Sequence, residues 1–309
     1  MSEPANSVPM SGRQPAESFG ATFTSTMSAR RTLWSDAFAR LRRNHGAMLG
    51  AAGLLLLILV ALLASVLAPY DPIEMVPRDR LQSPNPQHWL GTDIFGRDIL
   101  TRLMYGAQIS LLVGVISVTI SILIGVNLGL IAGYYGGLLD TLTMRLIDVM
   151  LAFPGILLAL AIVAVLGPGL FNVMIAVGVA AVPTYARVVR GAVLSVRQNA
   201  YVDAALVVGC KNARILFRHV LPNVLAPIIV IATLRVGGAI ISGAALSFLG
   251  MGAQPPTPEW GAMLTEGRNY MRVAWWITTF PGLAIMVTVL SMNLLGDGLR
   301  DALDPRLRV

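Results

Sequence analysis

Apolar and polar residues fall into long blocks along this chain. After a polar stretch of about 45 residues, apolar runs lie near 47–67, 108–133, 146–166, 169–186, 223–249 and 276–296. Each is close to the ~20 helical residues that cross the hydrocarbon core of a bilayer. The pattern predicts an all-α polytopic membrane protein with six transmembrane helices, and an even number places both termini on one side. The first run is too long for a secretory signal core and reads as a retained span. Ahead of it, Leu33, Trp34, Ala37, Phe38 and Leu41 recur at helical spacing opposite Arg40, Arg42 and Arg43. That stripe predicts an amphipathic helix over 28–45 lying in the bilayer interface. Residues 1–27 are expected to be a disordered cytoplasmic tail, and 46–309 to form the membrane domain.

Charge decides the sidedness, because short cytoplasmic segments retain Lys and Arg during insertion. Residues 1–45 hold six basic side chains, and residues 187–222 hold six more (Arg187, Arg190, Arg197, Lys211, Arg214, Arg218) against one acid, Asp203. The 68–107 connection has four bases and five acids, and 251–275 has two of each. An N-in, C-in topology follows, with 68–107 outside and the 187–222 loop in the cytoplasm.

Composition excludes several function classes. The 309 residues are 55% hydrophobic and 13% charged, whereas soluble domains carry about 25% charged residues. The net charge of +7 flanks apolar runs instead of forming the basic, aromatic-interleaved soluble face of a nucleic-acid binder. A lone cysteine, Cys210, and three separated histidines, His45, His88 and His219, offer neither a disulfide nor a metal cluster. No cofactor is expected in this chain. The single lysine, Lys211, lies between Cys210 and Asn212, so no Walker A loop is present to hold nucleotide phosphates. Any ATP and magnesium would be bound by other subunits.

The 187–222 loop is long enough to hold its own structure. Asn199 suits the cap of a helix over Ala200–Val208, with Asp203 near its positive end. Gly209 suits a left-handed stop, Asn212 a second cap for a helix through Val220, and Pro222 the start of the next span. Ala204, Ala205, Leu206, Val207 and Val208 form an apolar surface that a docked partner would cover.

Asp203-Ala204-Ala205, three residues, Gly209, nine residues and His219-Val220-Leu221-Pro222 together resemble the EAA loop of ABC importer permeases, with Asp203 where that family usually has Glu. Three further stretches resemble the C-type permeases of dipeptide and oligopeptide importers, a group that includes glutathione and nickel carriers. They are His88-Trp89-Leu90-Gly91-Thr92-Asp93 through Gly96-Arg97-Asp98 to Arg102; Leu246-Ser247-Phe248-Leu249-Gly250 through Gln254-Pro255-Pro256-Thr257-Pro258-Glu259-Trp260-Gly261; and Gly296-Asp297-Gly298-Leu299-Arg300 through Pro305-Arg306. The resemblance covers about residues 33–306. It implies the type I importer permease fold in a bacterial inner membrane, with 198–210 as a coupling helix seated in an ATPase subunit. Asp203, Ala204, Ala205, Gly209, His219, Leu221 and Pro222 would carry the coupling. The implied assembly is this subunit, a homologous partner permease in a heterodimer, two ATPase subunits and an extracytoplasmic substrate-binding protein, moving dipeptides or short oligopeptides by alternating access. The 68–107 segment would either help receive the binding protein or act as a structural cap, with Asp93 and Asp98 as helix-start acids. Dipeptide, oligopeptide, glutathione and nickel-complex cargo share these motifs.

Several polar residues lie within spans. Arg235 lies about twelve residues into the fifth span, where an unpaired arginine costs ~2.5–3.5 kcal/mol. It is expected either to line the passage and attract a substrate carboxylate or to form a structural ion pair. Arg145 and Asp148 fit a local helix pair, and Asn127 and Asn293 suit hydrogen bonds to neighbouring helices. Gly125, Gly129 and Gly133 repeat every fourth residue, a spacing for close helix packing. Asp297, Arg300, Asp301 and Asp304 fit a solvated helix end or, alternatively, a direct contact with the ATPase. A proton-coupled secondary transporter would need internal repeats and a chain of intramembrane acids, and a membrane enzyme would need clustered catalytic groups at a span end. The sequence offers neither.

Overall fold

In a computed structural model, residues 33–303 are described, with side chains from Phe38 onward. The expectations for 1–27, for the stripe residues Leu33, Trp34 and Ala37, and for Asp304-Pro305-Arg306 lie outside the described side chains. The helices are α1 (Leu33–Arg43), α2 (His45–Leu62), a one-turn α3 (Ala64–Leu67), α4 (Ile99–Tyr135), α5 (Gly137–Leu151), α6 (Gly155–Leu166), α7 (Leu170–Arg197), α8 (Ala200–Val207), α9 (Asn212–Ile215), α10 (Leu221–Phe248), α11 (Trp260–Gly267) and α12 (Trp276–Leu303). Five helical stretches are long and apolar enough to cross a membrane: α2, α4, α7, Asn212–Phe248 and α12. The bent pair α5 and α6 is apolar and long enough only when taken together, and makes a sixth if it counts as one span.

That bent pair departs from the sequence reading of a single span over 146–166. Its halves meet at 93°. Pro154, with φ −53 and ψ 130, stands just ahead of α6. It has no N–H to give the preceding turn and disfavours a helical conformation at Phe153. Ala152 N–H closes the last turn of α5 on Asp148 O.

α4 and α7 form the centre of the bundle, pressed together along the glycine stripe. A Cβ at Gly129 would lie 2.6 Å from Ala186 O, and one at Gly125 would lie 2.8 Å from Val182 O. Only a hydrogen at these positions lets the two backbones approach so closely. Asn127 does not bridge helices as expected; its Nδ2 donates to Leu123 O of its own helix at 2.6 Å, a bond that needs no partner. The Asn293 side chain is exposed.

Outside the bundle, the 68–107 segment folds back as a cap. Asp98 caps α4, accepting from Thr101 N–H at 2.8 Å while its other oxygen meets His88 Nδ1 at 2.9 Å. Asp93 starts no helix, contrary to the sequence reading. It sits in a turn, accepts from Arg97 N–H and pairs with Arg97 Nε at 2.6 Å. Arg97 and Arg102, both buried, converge on Glu266 Oε2 at 2.6 and 3.2 Å. Burial pushes the Glu266 carboxyl above its ordinary value, against the pull of the two guanidiniums. Trp276 Nε1 donates to Thr92 O and Trp260 Nε1 to Leu103 O. These contacts tie the cap to α4, α11 and α12.

Candidate functional site

The 187–222 loop builds a two-faced platform. α8 runs from Ala200 to Val207, with Asn199 at the cap position. The Asn199 side chain does not cap it: its Nδ2 donates backwards to Val196 O at 2.9 Å, closing the end of α7 instead. Gly209 has φ +84, a left-handed conformation that spares a Cβ clash. Cys210 N–H returns to Ala205 O at 3.0 Å, so α8 is closed and compact.

The second half departs from the reading of a capped helix through Val220 and a new start at Pro222. Asn212 is the first residue of α9 and Lys211 its cap. α9 passes through a π-helical turn at Leu216–Val220 directly into α10. Pro222 brings no N–H for an i−4 carbonyl, and the wider turn ahead of it accommodates the missing bond without breaking the rod. The result is one continuous helical arm from Asn212 in the loop to Phe248 at the far end of the bundle.

One face of the platform is anchored. Val202, Ile215, Leu216 and Val220 are buried together with Val126, Leu130, Tyr134, Val189, Val193 and Val224, and Ala205, Cys210 and Leu221 pack against that cluster. Tyr134 OH donates to Asn212 Oδ1 at 3.1 Å. The loop is therefore packed into α4, α7 and α10. The other face is bare: Val207 and Val208 are 88% and 82% exposed, beside exposed Tyr201, Asp203, Ala204 and Leu206. Of the predicted coupling residues, Ala205 and Leu221 fall on the anchored side. Asp203, Ala204, Gly209 and Pro222 are exposed, and His219 is half-buried. Sequence reasoning missed Tyr134, Val202 and Ile215. The three-residue spacing of Val202 and Ala205 marks the buried face; Tyr134 gives no local signal.

Deeper in the bundle, a cavity of about 330 Å³ opens between α4, the α5–α6 elbow, α7 and α10, lined by Ser121, Phe153, Thr184, Arg235 and Ser242 among others. Arg235 meets no carboxylate among the described residues; one guanidinium nitrogen donates to Thr184 Oγ1 at 3.4 Å. It lines the cavity wall. The elbow residues Met150, Leu151 and Phe153 also line the cavity.

Two ion pairs hold α5 against α7. Asp140 meets Arg190 Nε at 2.5 Å, and Asp148 meets Arg187 at 2.7 Å. The second corrects the expected Arg145–Asp148 pair. Once α5 lies across α7, Asp148 finds a guanidinium on the neighbouring helix, which sequence spacing along one helix cannot reveal. Asp297, Arg300 and Asp301 on α12 are exposed.

Residues 125–309 match the binding-protein-dependent transport system inner membrane component family, and residues 32–84 match the N-terminal transmembrane domain of oligopeptide transport permease C. The dipeptide transport system permease protein DppC of Alkalihalophilus pseudofirmus is 52% identical over 275 residues, 89% of this chain and 90% of that one. The glutathione transport system permease protein GsiD of Pectobacterium atrosepticum is 50% identical over 279 residues, 90% and 93% of the two chains. Among solved structures, a chain of the inward-facing MetNI methionine ABC transporter superposes with a TM-score of 0.55 at 19% identity, covering 67% of this chain and 98% of that one. A second crystal form of the same transporter gives 0.54. With five or six apolar crossings, a folded 187–222 loop and this breadth of similarity, the chain belongs to the family of inner membrane components of binding-protein-dependent transport systems, as a multi-pass permease subunit.

Proposed function

We propose that this subunit forms one half of the passage of an ATP-driven importer for dipeptides or short oligopeptides. It pairs with a homologous permease as a heterodimer, and two separate ATPase subunits bind the ATP and magnesium and hydrolyse the nucleotide. An extracytoplasmic binding protein delivers the cargo. The observation that carries the reading is the two-faced α8: an exposed Val207 and Val208 edge for a partner, backed by Val202 set in the bundle core. Closure of the ATPase pair would move α8, and the continuous arm from Asn212 to Phe248 would carry that movement to the cavity. Asp203, Ala204 and Gly209 sit at the docking face, while Ala205, His219, Leu221 and Pro222 shape the turn behind it.

The peptide assignment draws on the relatives named for dipeptide and glutathione transport, whose cargoes are both short peptides with free carboxylates. Arg235 supplies matching chemistry. A guanidinium at a low-dielectric cavity wall with no fixed carboxylate beside it attracts an anion strongly. Proteoliposomes holding the assembled transporter are expected to take up a labelled dipeptide only with ATP and binding protein. Arg235→Ala is expected to slow uptake by about tenfold or more, the weight of one hydrogen bond to a charged group, and to erase the preference for a free over an amidated carboxyl terminus. Uptake driven by a proton gradient without ATP would reject the importer reading. Wild-type rate and preference in Arg235→Ala would reject the role of Arg235 alone.

A further inference from the structure

The connection between α10 and α12 holds two acids and two bases, a balance that conceals a lopsided surface. Glu259 is buried, its carboxylate accepting from Gly261 N–H and Ala262 N–H at 2.9 Å each to cap α11. Glu266 is turned inward onto Arg97 and Arg102. Both bases, Arg268 and Arg272, are exposed and meet no carboxylate among the described residues. Met271, Val273 and Trp275 stand among them, 57%, 69% and 52% exposed. A short run mixing arginine, aliphatic side chains and tryptophan just before a span is the composition of the bilayer's headgroup zone.

Beside this run lies an apolar groove of about 400 Å³ between α10, α11 and α12, lined by Ile241, Ala245, Phe248, Leu264 and Ile285. Arg268 stands at its mouth: it follows Leu264 by four residues, one helical turn, and its guanidinium carbon lies 5.8 Å from the Phe248 ring centroid. Thr265 Oγ1, donating to Phe248 O at 3.0 Å, fixes α11 on the end of α10 and so fixes the cation relative to the groove.

We propose that this is a binding site for an anionic phospholipid of the outer leaflet, with its phosphate on Arg268 and Arg272 and one acyl chain in the groove. Arg268 beside an apolar slot, with a second exposed arginine four residues further on in a run of headgroup-zone composition, offers in order what the phosphate and hydrocarbon of such a lipid require. A protein occupant would have to bring carboxylates to the same depth or leave two arginines desolvated without a counter-charge. The lipid already carries its charge there.

The test uses the assembled transporter, extracted in mild detergent from membranes of phosphatidylglycerol and phosphatidylethanolamine, with retained lipid measured by mass spectrometry. The wild type is expected to retain phosphatidylglycerol enriched over its share of the membrane. Arg268→Gln/Arg272→Gln is expected to reduce that enrichment by about fivefold per arginine, the weight of an exposed basic side chain at an anionic surface. Ala245→Phe fills the groove without altering charge and is expected to lower retention of both lipids. Equal phosphatidylglycerol enrichment in the wild type and the double arginine variant overturns the proposal. With the arginines intact, a benzophenone side chain at position 249, in place of Leu249, is expected to label lipid; labelling of another protein chain overturns it in favour of a subunit contact.

Discussion

Val207→Glu/Val208→Glu is expected to leave the permease folded and membrane-inserted while abolishing the ATP hydrolysis that loaded binding protein stimulates. Both valines are almost wholly exposed, so the substitutions disturb nothing inside this chain. Burying a valine side chain contributes about 1.5–3 kcal/mol, so losing two weakens docking by roughly a hundredfold or more. Desolvating two new carboxylates adds to that. Unstimulated hydrolysis by the ATPase subunits alone should persist. Val202→Glu, on the opposite face of the same helix, should behave differently: it places a charge in the cluster of Val126, Leu130 and Val193 and should lower the yield of folded protein. Measuring expression, assembly and stimulated hydrolysis separately distinguishes the two faces. Full stimulation in the double variant would mean that the exposed edge is not gripped.

The second large effect is expected at the outer cap. Asp93→Ala removes the carboxylate that faces Arg97 at 2.6 Å and Arg102 at 3.6 Å, leaving two fully buried guanidiniums with Glu266 alone. Breaking a buried ion pair from one side costs about 3–5 kcal/mol, against a marginal total of about 5–15 kcal/mol for a typical domain. The expected result is a lower midpoint in thermal unfolding of the detergent-solubilised transporter, with looser packing between the cap and α11. Asp93→Asn/Arg97→Gln should lose less than the sum of its two single changes, because the second removes the charge that the first left unpaired. A midpoint unchanged by Asp93→Ala would show that the cluster is solvated and contributes little. The stability role assigned here to Asp93, Arg97, Arg102 and Glu266 is compatible with reception of a binding protein on the outer surface of the same cap.

Block hydropathy revealed the crossings because each is a long and predominantly apolar run, and the charge count assigned the sides because insertion obeys loop charge. The 93° elbow was hidden for the same reason. Apolar residues continue through Ala152, Phe153 and Pro154, so hydropathy sees one run where backbone chemistry makes two helices. Pro222 misled in the opposite direction: it reads as a boundary, yet a π-turn carries the helix through it. Ion pairing was legible only along single helices. Asp148 turned to Arg187, 39 residues away, because the elbow lays α5 across α7. At the loop, the apolar run from Ala204 to Val208 was visible as composition. The spacing of Val202 and Ala205 hints at which side is buried, but what covers it was not legible, since that depends on Tyr134, Val189 and Val193 arriving from α4 and α7.

The account depends on α8 being held by an ATPase subunit on the cytoplasmic side. A photoreactive side chain at position 207, in place of Val207, in the intact transporter tests this directly. Irradiation in sealed inverted and right-side-out vesicles is expected to join this chain to the ATPase subunit in both. A membrane-impermeant reagent should reach a cysteine placed there only from the cytoplasmic face. A cross-link to no ATPase subunit, or labelling from the outer face, would contradict the account.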